Sequence, residues 1–260
     1  GLMGLKTHAK LSLVIRDEAN GLRRYCHLGT GNYNPKTARM YEDLGILSAD
    51  PELTDDLTRL FNRLSGFAPQ STYSRLLVAP LTLRSGIIER IDREIENQKA
   101  GKPAGIQLKL NSILDEGFVE KIYQASQAGV KIDLLVRGIC AVQPGIKGVS
   151  ENITVKSVLG RFLEHSRIFH FVNGGNNEYW IGSADLMGRN LDRRVESLVR
   201  IDKKEHQNRL QEILDLGLSA ESSSWQLSGI EWTRVSKNSK GEALLDVHSA
   251  FIHTYSRERQ

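Results

Sequence analysis

Two histidines in this chain of 260 residues stand in the same short pattern. His8 is followed two residues later by Lys10, and His165 is followed two residues later by Arg167. Side chains alternate between the two faces of a strand, so that positions i and i+2 share a face. With each pattern on a strand, we expect a permanent positive charge beside each imidazole.

A turn of small residues follows each of these histidines. Residues 29–32 are Gly-Thr-Gly-Asn, and residues 182–185 are Gly-Ser-Ala-Asp. One His-x-Lys pattern alone is mostly chance, but two copies with matching turns indicate a duplicated unit. The first turn is not a P-loop, because no Gly-Lys-Ser/Thr follows it in the required frame. The duplicated unit predicts a site for phosphorus chemistry.

Paired imidazoles suit the transfer of a phosphoryl group. A neutral imidazole is a nucleophile, and forming phosphohistidine divides one displacement into two steps. A second imidazole can protonate the leaving oxygen and then deprotonate the next attacking group. Fixed cations must stabilise the phosphoryl oxygens, and the planar fork of arginine grips two of them at once. The candidate cations are Lys10, Arg137, Arg167, Arg193 and Arg194.

These residues also have simpler interpretations. The arginines of residues 189–194 can form a solvated charged surface, and Asp192 and Glu196 are predicted to pair with them rather than to bind metal. A module that only binds polyanions is therefore an alternative, and its binding would weaken steeply with salt. The other histidines lack the repeated pattern and are interpreted as surface or packing residues: His27, His170, His206, His248 and His253.

The composition is that of an ordinary globular protein, with 40% hydrophobic and 25% charged residues. A formal net charge of +4 favours anionic partners without identifying one. Cys26 and Cys140 have no metal-ligand spacing, and two isolated cysteines are typical of a reducing cytosol. No apolar run reaches the ~20 residues of a membrane span, and the first residues lack the apolar core that a signal peptide has. We therefore expect a cytoplasmic protein.

The pattern of apolar residues predicts an α/β fold. The predicted strands are 8–16, 23–28, 106–110, 130–136, 152–158, 162–172, 178–182 and 194–201, and the predicted helices are 52–65, 83–100, 116–127 and 205–216. The strand–helix–strand run over 106–136 predicts a βαβ unit with parallel strands. Arg137 follows that unit, and ligands of open α/β sheets gather at the carboxyl ends of strands.

Glycine and proline mark a break in the chain, from which we predict a domain boundary near residue 75. The predicted division is a first part over 1–75, a second domain over 76–235 and a polar C-terminal tail over 236–260. Within that tail, residues 247–259 fit either a helix or a loose segment.

The short motifs resemble one broad group of proteins, and the longer strings resemble a more specific group. The double His-x-Lys and Gly-Ser/Thr-x-Asn pattern is similar to the phospholipase D superfamily. The longer strings resemble the carboxyl-terminal catalytic half of bacterial polyphosphate kinases of the two-histidine type: KTHAKL, GTGNYNPKTARMYEDLG, LLVRGIC, FLEHSRIFHF and SADLMGRNLDRR. The resemblance covers roughly residues 5–217. It implies two phospholipase D-like α/β domains, of mixed sheets flanked by helices, with the site between them.

The resemblance also implies roles for individual residues. His8 matches the autophosphorylated nucleophile, and His165 matches the second essential histidine, an acid–base partner. Tyr41 falls where the family contacts the nucleotide base, and Arg137 and Arg194 match arginines that contact phosphate. Lys10 and Arg167 are expected to add positive charge at the substrate.

The implied reaction is the reversible transfer of the terminal phosphate of ATP to inorganic polyphosphate, with magnesium as cofactor. The expected partners are ATP or ADP and polyphosphate, but not nucleic acid, and the family is homo-oligomeric. Its magnesium contacts lie upstream of KTHAKL, so we expect no metal ligand in this chain. Peripheral association with the inner membrane is left open.

Two departures from the family patterns bear on activity. The phospholipase D pattern has an Asp seven residues after each motif histidine, where this chain has Ile15 and Val172. This argues against a phospholipase D-like phosphodiesterase, which is the alternative enzyme. The resemblance also implies upstream domains, so we expect a piece of a longer protein that is inactive alone. Unpaired edges are sticky, and we expect residues 1–75 to be rearranged, disordered or paired with another copy.

Overall fold

The computed structural model describes residues 2–67 and 72–257, which form fifteen strands, six α-helices and two short 3-10 helices. The strands are β1 (Lys6–Thr7), β2 (Lys10–Glu18), β3 (Gly21–Gly29), β4 (Tyr41–Glu42), β5 (Gly45–Ser48), β6 (Leu76–Ala79), β7 (Ile106–Leu110), β8 (Ile132–Val136), β9 (Ile153–Ser157), β10 (Leu163–Glu164), β11 (Ile168–Phe171), β12 (Glu178–Gly182), β13 (Arg194–Ile201), β14 (Ser224–Ser228) and β15 (Glu231–Val235). The helices are α1 (Pro51–Leu64), α2 (Leu83–Lys99), α3 (Glu116–Gln127), α4 (Gly188–Asp192), α5 (Lys204–Leu218) and α6 (Val247–Arg257).

Ten strands form one large mixed sheet. Its hydrogen-bonded order is β1-β13-β12-β11-β7-β8-β9-β14-β15, and β6 also pairs with β13. The central strands β7, β8 and β9 are parallel, whereas β11 and β14 on either side of them are antiparallel to their neighbours. The βαβ unit predicted over 106–136 is confirmed, because α3 connects the parallel strands β7 and β8.

Both faces of the large sheet are buried. Alternate residues of one strand enter opposite cores: Leu134 packs with α2 and α3 on one face, and Leu135 packs with α1 and α5 on the other. Such double burial is consistent with the nearly continuous apolar run of β8, Ile-Asp-Leu-Leu-Val. The second core includes Cys26 and Leu57, so the parts before and after residue 75 share one hydrophobic interior.

The part before residue 75 has its own small sheet, in the order β2-β3-β5, with antiparallel strands. Helix α1 packs beside it and begins after Asp50, whose carboxylate accepts the backbone N–H of Leu53. The expected rearrangement or disorder of residues 1–75 is therefore wrong for the described residues 2–67. β3 pairs with β2 on one side and with β5 on the other, and α1 adds a buried apolar face. Pairing with another copy stays a prediction.

Two strands of only two residues join the two parts of the chain. β1 pairs in parallel with β13, so that Thr7 lies opposite Val195. β10 pairs in parallel with β4, so that Glu164 lies opposite Glu42. The residue after each of these short strands is a motif histidine. Each histidine is thus placed where its chain crosses from the other part of the protein to its own sheet.

The crossing alters one prediction from the sequence. The strand predicted over 162–172 is two strands, β10 and β11, with His165, Ser166 and Arg167 between them. In the same way, His8 and Ala9 lie between β1 and β2. The backbone leaves one pairing before it begins the next, so neither histidine pattern lies within a continuous strand.

The end of the chain is more regular than predicted. β14 and β15 form a hairpin that extends the large sheet beyond β9. The choice left open for residues 247–259 resolves as helix α6 over Val247–Arg257, in which Val247 and His248 are buried. None of the helices within residues 2–67 and 72–257 is long and apolar enough to cross a membrane.

Candidate active site

The His8 imidazole is held at both nitrogens. Nδ1 lies 2.8 Å from a carboxylate oxygen of Glu196, and Nε2 lies 2.9 Å from the ammonium nitrogen of Lys10. An ammonium group can only donate and a carboxylate can only accept. These partners therefore assign the neutral tautomer with its proton on Nδ1, and the lone pair of Nε2 accepts the hydrogen bond of Lys10. The predicted neighbourhood of His8 and Lys10 is confirmed.

Glu196 is itself fixed by its surroundings. Its side chain is fully buried, and it accepts hydrogen bonds from the hydroxyl of Ser183 at 2.5 Å and from the amide of Asn190 at 2.8 Å. Arg194 lies 4.0 Å away. Because both oxygens have donors, the carboxylate cannot rotate freely, and the ring of His8 takes its orientation from it.

His165 has an equivalent partner. Its Nδ1 lies 2.7 Å from the carboxylate of Asp43, which also accepts the hydroxyl of Thr30 at 2.8 Å. The His165 side chain is 9% exposed, whereas that of His8 is 22% exposed. No hydrogen bond joins Nε2 of His165 to another of the described residues. With Nδ1 directed at Asp43, this second nitrogen is the one that can exchange a proton with a substrate.

The two acids are exchanged between the parts of the chain. Asp43 precedes residue 75 and binds the second histidine, whereas Glu196 follows it and binds the first. The strand registers explain this exchange. His8 follows Thr7, and Glu196 follows the opposite residue Val195, the last residue of β13 that pairs with β1. In the same way, His165 and Asp43 come directly after the paired strands β10 and β4. Both histidine–acid pairs therefore need both parts of the chain.

The charge of Lys10 is influenced by residues of both halves of the site. Burial lowers the pKa of its ammonium group from 10.5 to about 8, against the attraction of Glu196 and Asp43. The nearby cations Arg167 and Arg194 lower the pKa further. A group influenced by the acid partners of both histidines lies between the two pairs. Charges from both motifs thus converge on one region.

Arg167 differs from the pattern expected for it. Its guanidinium donates to the backbone carbonyl of His165 at 2.6 Å and to the carboxylate of Asp185 at 2.9 Å. It is 2% exposed and is not beside the imidazole ring in the way that Lys10 is. Arg167 still lies in the break between β10 and β11, whereas Lys10 already begins β2, and the Arg167 guanidinium is held by Asp185. Its role towards substrate stays a prediction.

The other predicted residues lie around this region. The ring of Tyr41 packs against the imidazole of His165, with centroids 4.8 Å apart. Arg137 is half-buried at the end of β8, and its N–H donates to the carbonyl of Leu110 at 3.2 Å. Arg194 begins β13, and Arg193 beside it is exposed. Contacts of these residues with nucleotide or phosphate stay predictions.

The acid partners are the functional residues that sequence reasoning missed. Asp43 was not singled out, and Glu196 was interpreted only as a partner of arginines. A signal for both exists. Asp43 follows Thr30 by thirteen residues (43 − 30), and Glu196 follows Ser183 by the same number (196 − 183). Each of the two turns is thus followed by an acid at the same spacing, which is a further sign of the duplicated unit.

One prediction about charge pairing is wrong. Asp192 does not pair with the arginines of its own run, but with Arg84 of α2, at 2.8 Å. Arg84 also holds Asp115 at 2.7 Å. The side chain of Asp192 is drawn to α2 because Arg84 offers two donors to two acids. Asp192 therefore does not neutralise the charge of the neighbouring, exposed Arg193.

The chain is an α/β protein of the phospholipase D-like fold class. It belongs to the polyphosphate kinase family: the family model "Polyphosphate kinase C-terminal domain 1" matches residues 1–70, and "Polyphosphate kinase C-terminal domain 2" matches residues 76–244. The resemblance inferred from the motif strings is thereby confirmed.

Individual relatives agree with this assignment. The polyphosphate kinase of Streptomyces coelicolor is 55% identical over 260 residues, which cover 100% of this chain and 35% of that protein. The polyphosphate kinase of Mycolicibacterium gilvum is 54% identical over 234 residues, covering 90% of this chain and 32% of that protein. The chain thus spans about a third of the length of these curated relatives.

Solved structures show the same fold. A polyphosphate kinase from Porphyromonas gingivalis matches with a TM-score of 0.89 and 35% identity, over 100% of this chain and 40% of that chain. Phosphatidylserine synthase from Haemophilus influenzae matches with a TM-score of 0.56 over 97% of this chain and 69% of that chain. At 10% identity, the second match is a likeness of fold alone.

Proposed function

We propose that the full-length protein containing these two domains transfers the terminal phosphate of ATP reversibly to inorganic polyphosphate, through a phosphohistidine on His8. The observation that carries the proposal is the fixed His8 imidazole, with Glu196 at 2.8 Å from Nδ1 and Lys10 at 2.9 Å from Nε2. Kinship with polyphosphate kinases over the whole chain supports the choice of substrates.

In the first step, Nε2 of His8 attacks the γ-phosphorus of ATP. The N–P bond forms as the bond from that phosphorus to the β,γ-bridging oxygen breaks, and ADP leaves. Lys10 gives up its bond to Nε2 and turns to the phosphoryl oxygens. Glu196 accepts a hydrogen bond from the N–H at Nδ1 and stabilises the positive charge that develops on the ring, as the acid of a catalytic triad does.

In the second step, a terminal oxygen of polyphosphate attacks the phosphorus of phosphohistidine. The new P–O bond forms as the N–P bond breaks, and Nε2 of His8 regains its lone pair. We assign proton exchange at the leaving and attacking oxygens to Nε2 of His165, because Asp43 holds Nδ1 at 2.7 Å. Arg137, Arg167 and Arg194 are proposed to hold phosphate oxygens, and Tyr41 to contact the nucleotide base.

A requirement for magnesium belongs to the same proposal. Within residues 2–67 and 72–257, no group of three His, Cys, Asp or Glu side chains is arranged to hold a metal ion. The acids of the site are already engaged, Asp43 by His165 and Glu196 by His8. No step above is therefore assigned to metal ligands of this chain.

A phospholipase D-like phosphodiesterase would use the same phosphohistidine but give the phosphorus to water or an alcohol. The acid expected seven residues after each motif histidine is replaced by Ile15, which is 53% exposed, and by Val172. A module that binds only polyanions would need neither imidazole. Both alternatives are outcomes of the experiment below.

The test uses the full-length protein with ATP labelled at the γ-phosphate and magnesium. We expect protein-bound label that is labile in acid, stable in base and absent from His8→Ala. His165→Ala should form it much more slowly, and His253→Ala, which removes an exposed histidine of α6, should behave as the wild type.

Three results would contradict the proposal. Absence of label with cleavage of nucleic acid or lipid would point to the phosphodiesterase. Normal turnover by His8→Ala would remove its role as nucleophile. Binding of polyphosphate that falls steeply with salt, without any turnover, would point to the binding module. We expect the 260-residue chain alone to be inactive, and the full-length protein to be a cytoplasmic homo-oligomer.

A further inference from the structure

A buried ionic cluster lies next to the His165 pair. Glu42 and Glu164 are opposite each other where β4 and β10 pair, and the ammonium of Lys109 lies 2.8 Å from one and 2.6 Å from the other. His248 of α6 lies 2.6 Å from the second oxygen of Glu164. Side-chain exposures in this cluster are between 2% and 18%. Buried charges of this kind are stable only when paired.

The cluster is connected directly to the acid–base pair. Glu42 precedes Asp43 in the chain, and Glu164 precedes His165. The carboxylate of Glu42 also accepts the backbone N–H of Ser166 at 3.2 Å and its hydroxyl at 2.8 Å. Whatever keeps Glu42 and Glu164 together therefore keeps Asp43 against His165.

The other half of the site needs no such cluster. There the residues that precede His8 and Glu196 are Thr7 and Val195, which carry no charge. At the His165 side, two carboxylates occupy the equivalent positions and repel each other in the absence of a cation. Lys109 supplies that cation from β7. The requirement is thus specific to one of the two histidines.

His248 contributes a fixed hydrogen bond rather than a charge. Its Nδ1 accepts the backbone N–H of Phe162 at 3.1 Å, so its proton is on Nε2 and faces Glu164. Gly160 allows this approach, since a Cβ there would lie 2.4 Å from Nδ1. The cluster therefore holds two negative charges against the single positive charge of Lys109.

We propose that Lys109 and His248 are positioning residues for His165: they hold the Glu42–Glu164 pair closed and thereby fix the imidazole against Asp43. The part of this inference that concerns catalysis rests on the proposed acid–base function of His165. Helix α6, outside the predicted catalytic domains, then becomes part of the support of the active site.

The first test measures the exposure of each imidazole without reference to activity. Full-length protein is treated with diethylpyrocarbonate, and modification of His8 and His165 is followed by mass spectrometry. Lys109→Met should raise the modification rate of His165 at least threefold and leave His8 unchanged. Lys109→Met/Glu164→Gln restores the net charge of the cluster and should return His165 to within twofold of the wild type. Lys121→Met, which breaks an ion pair between α3 and α2, is the matched control.

The second test measures turnover against pH. The groups facing the two carboxylates are Lys109 from β7, His248 from α6, the His165–Asp43 pair, and Arg137, which lines the same cavity. Burial opposes ionisation of Glu164, but Lys109 and His248 outweigh it and hold its pKa at about 2. Without Lys109, one carboxyl must take up a proton to relieve the repulsion. Lys109→Met should be at least tenfold slower at pH 8 and recover towards pH 6.

His248 provides variants that keep the ion pair. His248→Gln retains a donor to Glu164 and an acceptor for Phe162, and should keep both the slow modification of His165 and the turnover. His248→Leu should lose both at least threefold. This pair decides the question where Lys109→Met does not fold, since equal behaviour of the two would exclude a positioning role for His248.

The inference is overturned if Lys109→Met modifies His165 at the wild-type rate, or if it loses turnover equally at every pH without rescue by Glu164→Gln. Equal acceleration at His8 and His165 would indicate general unfolding and would also contradict it. Failure of the proposed function has a different signature: the wild type forms no phosphoenzyme, while modification of His165 still responds to Lys109→Met.

Discussion

Thr30 and Ser183 make the same three hydrogen bonds in the two halves of the site. Each hydroxyl donates to an acid, Asp43 or Glu196, and accepts the N–H of the residue that follows that acid. Each backbone N–H also donates to the carbonyl of that following residue, at 2.9 Å for Thr30 and 3.0 Å for Ser183. The small-residue turns therefore serve to fix the acids that orient the histidines.

Removing either hydroxyl should loosen one acid and leave a buried N–H without its acceptor. We expect Ser183→Ala to slow phosphoenzyme formation on His8 about tenfold to a hundredfold, because small misplacement of a catalytic group is costly. Thr30→Val should affect the His165 side by a similar factor. Rapid-quench measurement with labelled ATP gives both rates. Wild-type rates in both variants would show that the turns do not position the acids.

Glu196→Gln should damage the first step more severely than Ser183→Ala does. An amide at this position can donate to Nδ1 and stabilise the tautomer whose Nε2 carries a proton and cannot attack phosphorus. In a catalytic triad the equivalent acid-to-amide change lowers the rate by about 10⁴. We expect a loss of about 10² to 10⁴ in the rate of His8 phosphorylation. Asp43→Asn is the counterpart at His165, and a rate within threefold of the wild type for Glu196→Gln would contradict the tautomer assignment.

The shared hydrophobic core predicts a stability effect on one side of α1. Leu57 of α1 is fully buried in the core that the two parts of the chain share, whereas Leu47 on β5 is 81% exposed. Leu57→Ala should lower the free energy of unfolding by about 2–5 kcal/mol, as truncation of buried leucines does. Leu47→Ala should change it by less than about 0.5 kcal/mol. Urea unfolding of the two variants compares them, and an equal effect would show that α1 does not pack as described.

The sequence predicts the elements whose signal is local. Helix α1 covers 51–64 against 52–65 predicted, and β7, α3 and β8 lie where the apolar periodicity puts them. β6 was missed, although all four of its residues are buried, because prolines on both sides suggested a connecting segment. Its partner β13 lies more than a hundred residues later in the chain, and no local pattern announces such a pairing.

The same limit applies to the site. His8, His165 and Lys10 can be found from their repeated spacing, because the motif itself is local. Asp43 and Glu196 reach their histidines only through β1 and β10, two-residue strands that pair across the chain. Strands this short have no periodicity to detect. The exchange of acids between the two parts of the chain therefore cannot be predicted from the motifs, because it depends on the fold as a whole.

Lys10 should give the active enzyme a pH limit that is separate from its stability. Burial lowers the pKa of Lys10 to about 8, so above that pH the cation beside Nε2 of His8 is lost. We expect the rate of phosphoenzyme formation to fall about tenfold per pH unit above pH 8. Lys10→Arg stays charged throughout, because the pKa of arginine is above about 12. This variant should therefore show no fall in rate above pH 8, even if its rate at pH 7 is lower than that of the wild type.

Stability should move in the opposite direction over the same range. The unfolded chain keeps the proton on Lys10 up to its ordinary pKa of 10.5, whereas the folded protein releases it at about 8. Between these values the unfolded state binds more protons, so the contribution of this group to stability rises with pH. Thermal unfolding recorded across pH 7 to 10 separates the two effects. If the rate of phosphoenzyme formation still falls above pH 8 in Lys10→Arg, the loss of activity belongs to another group.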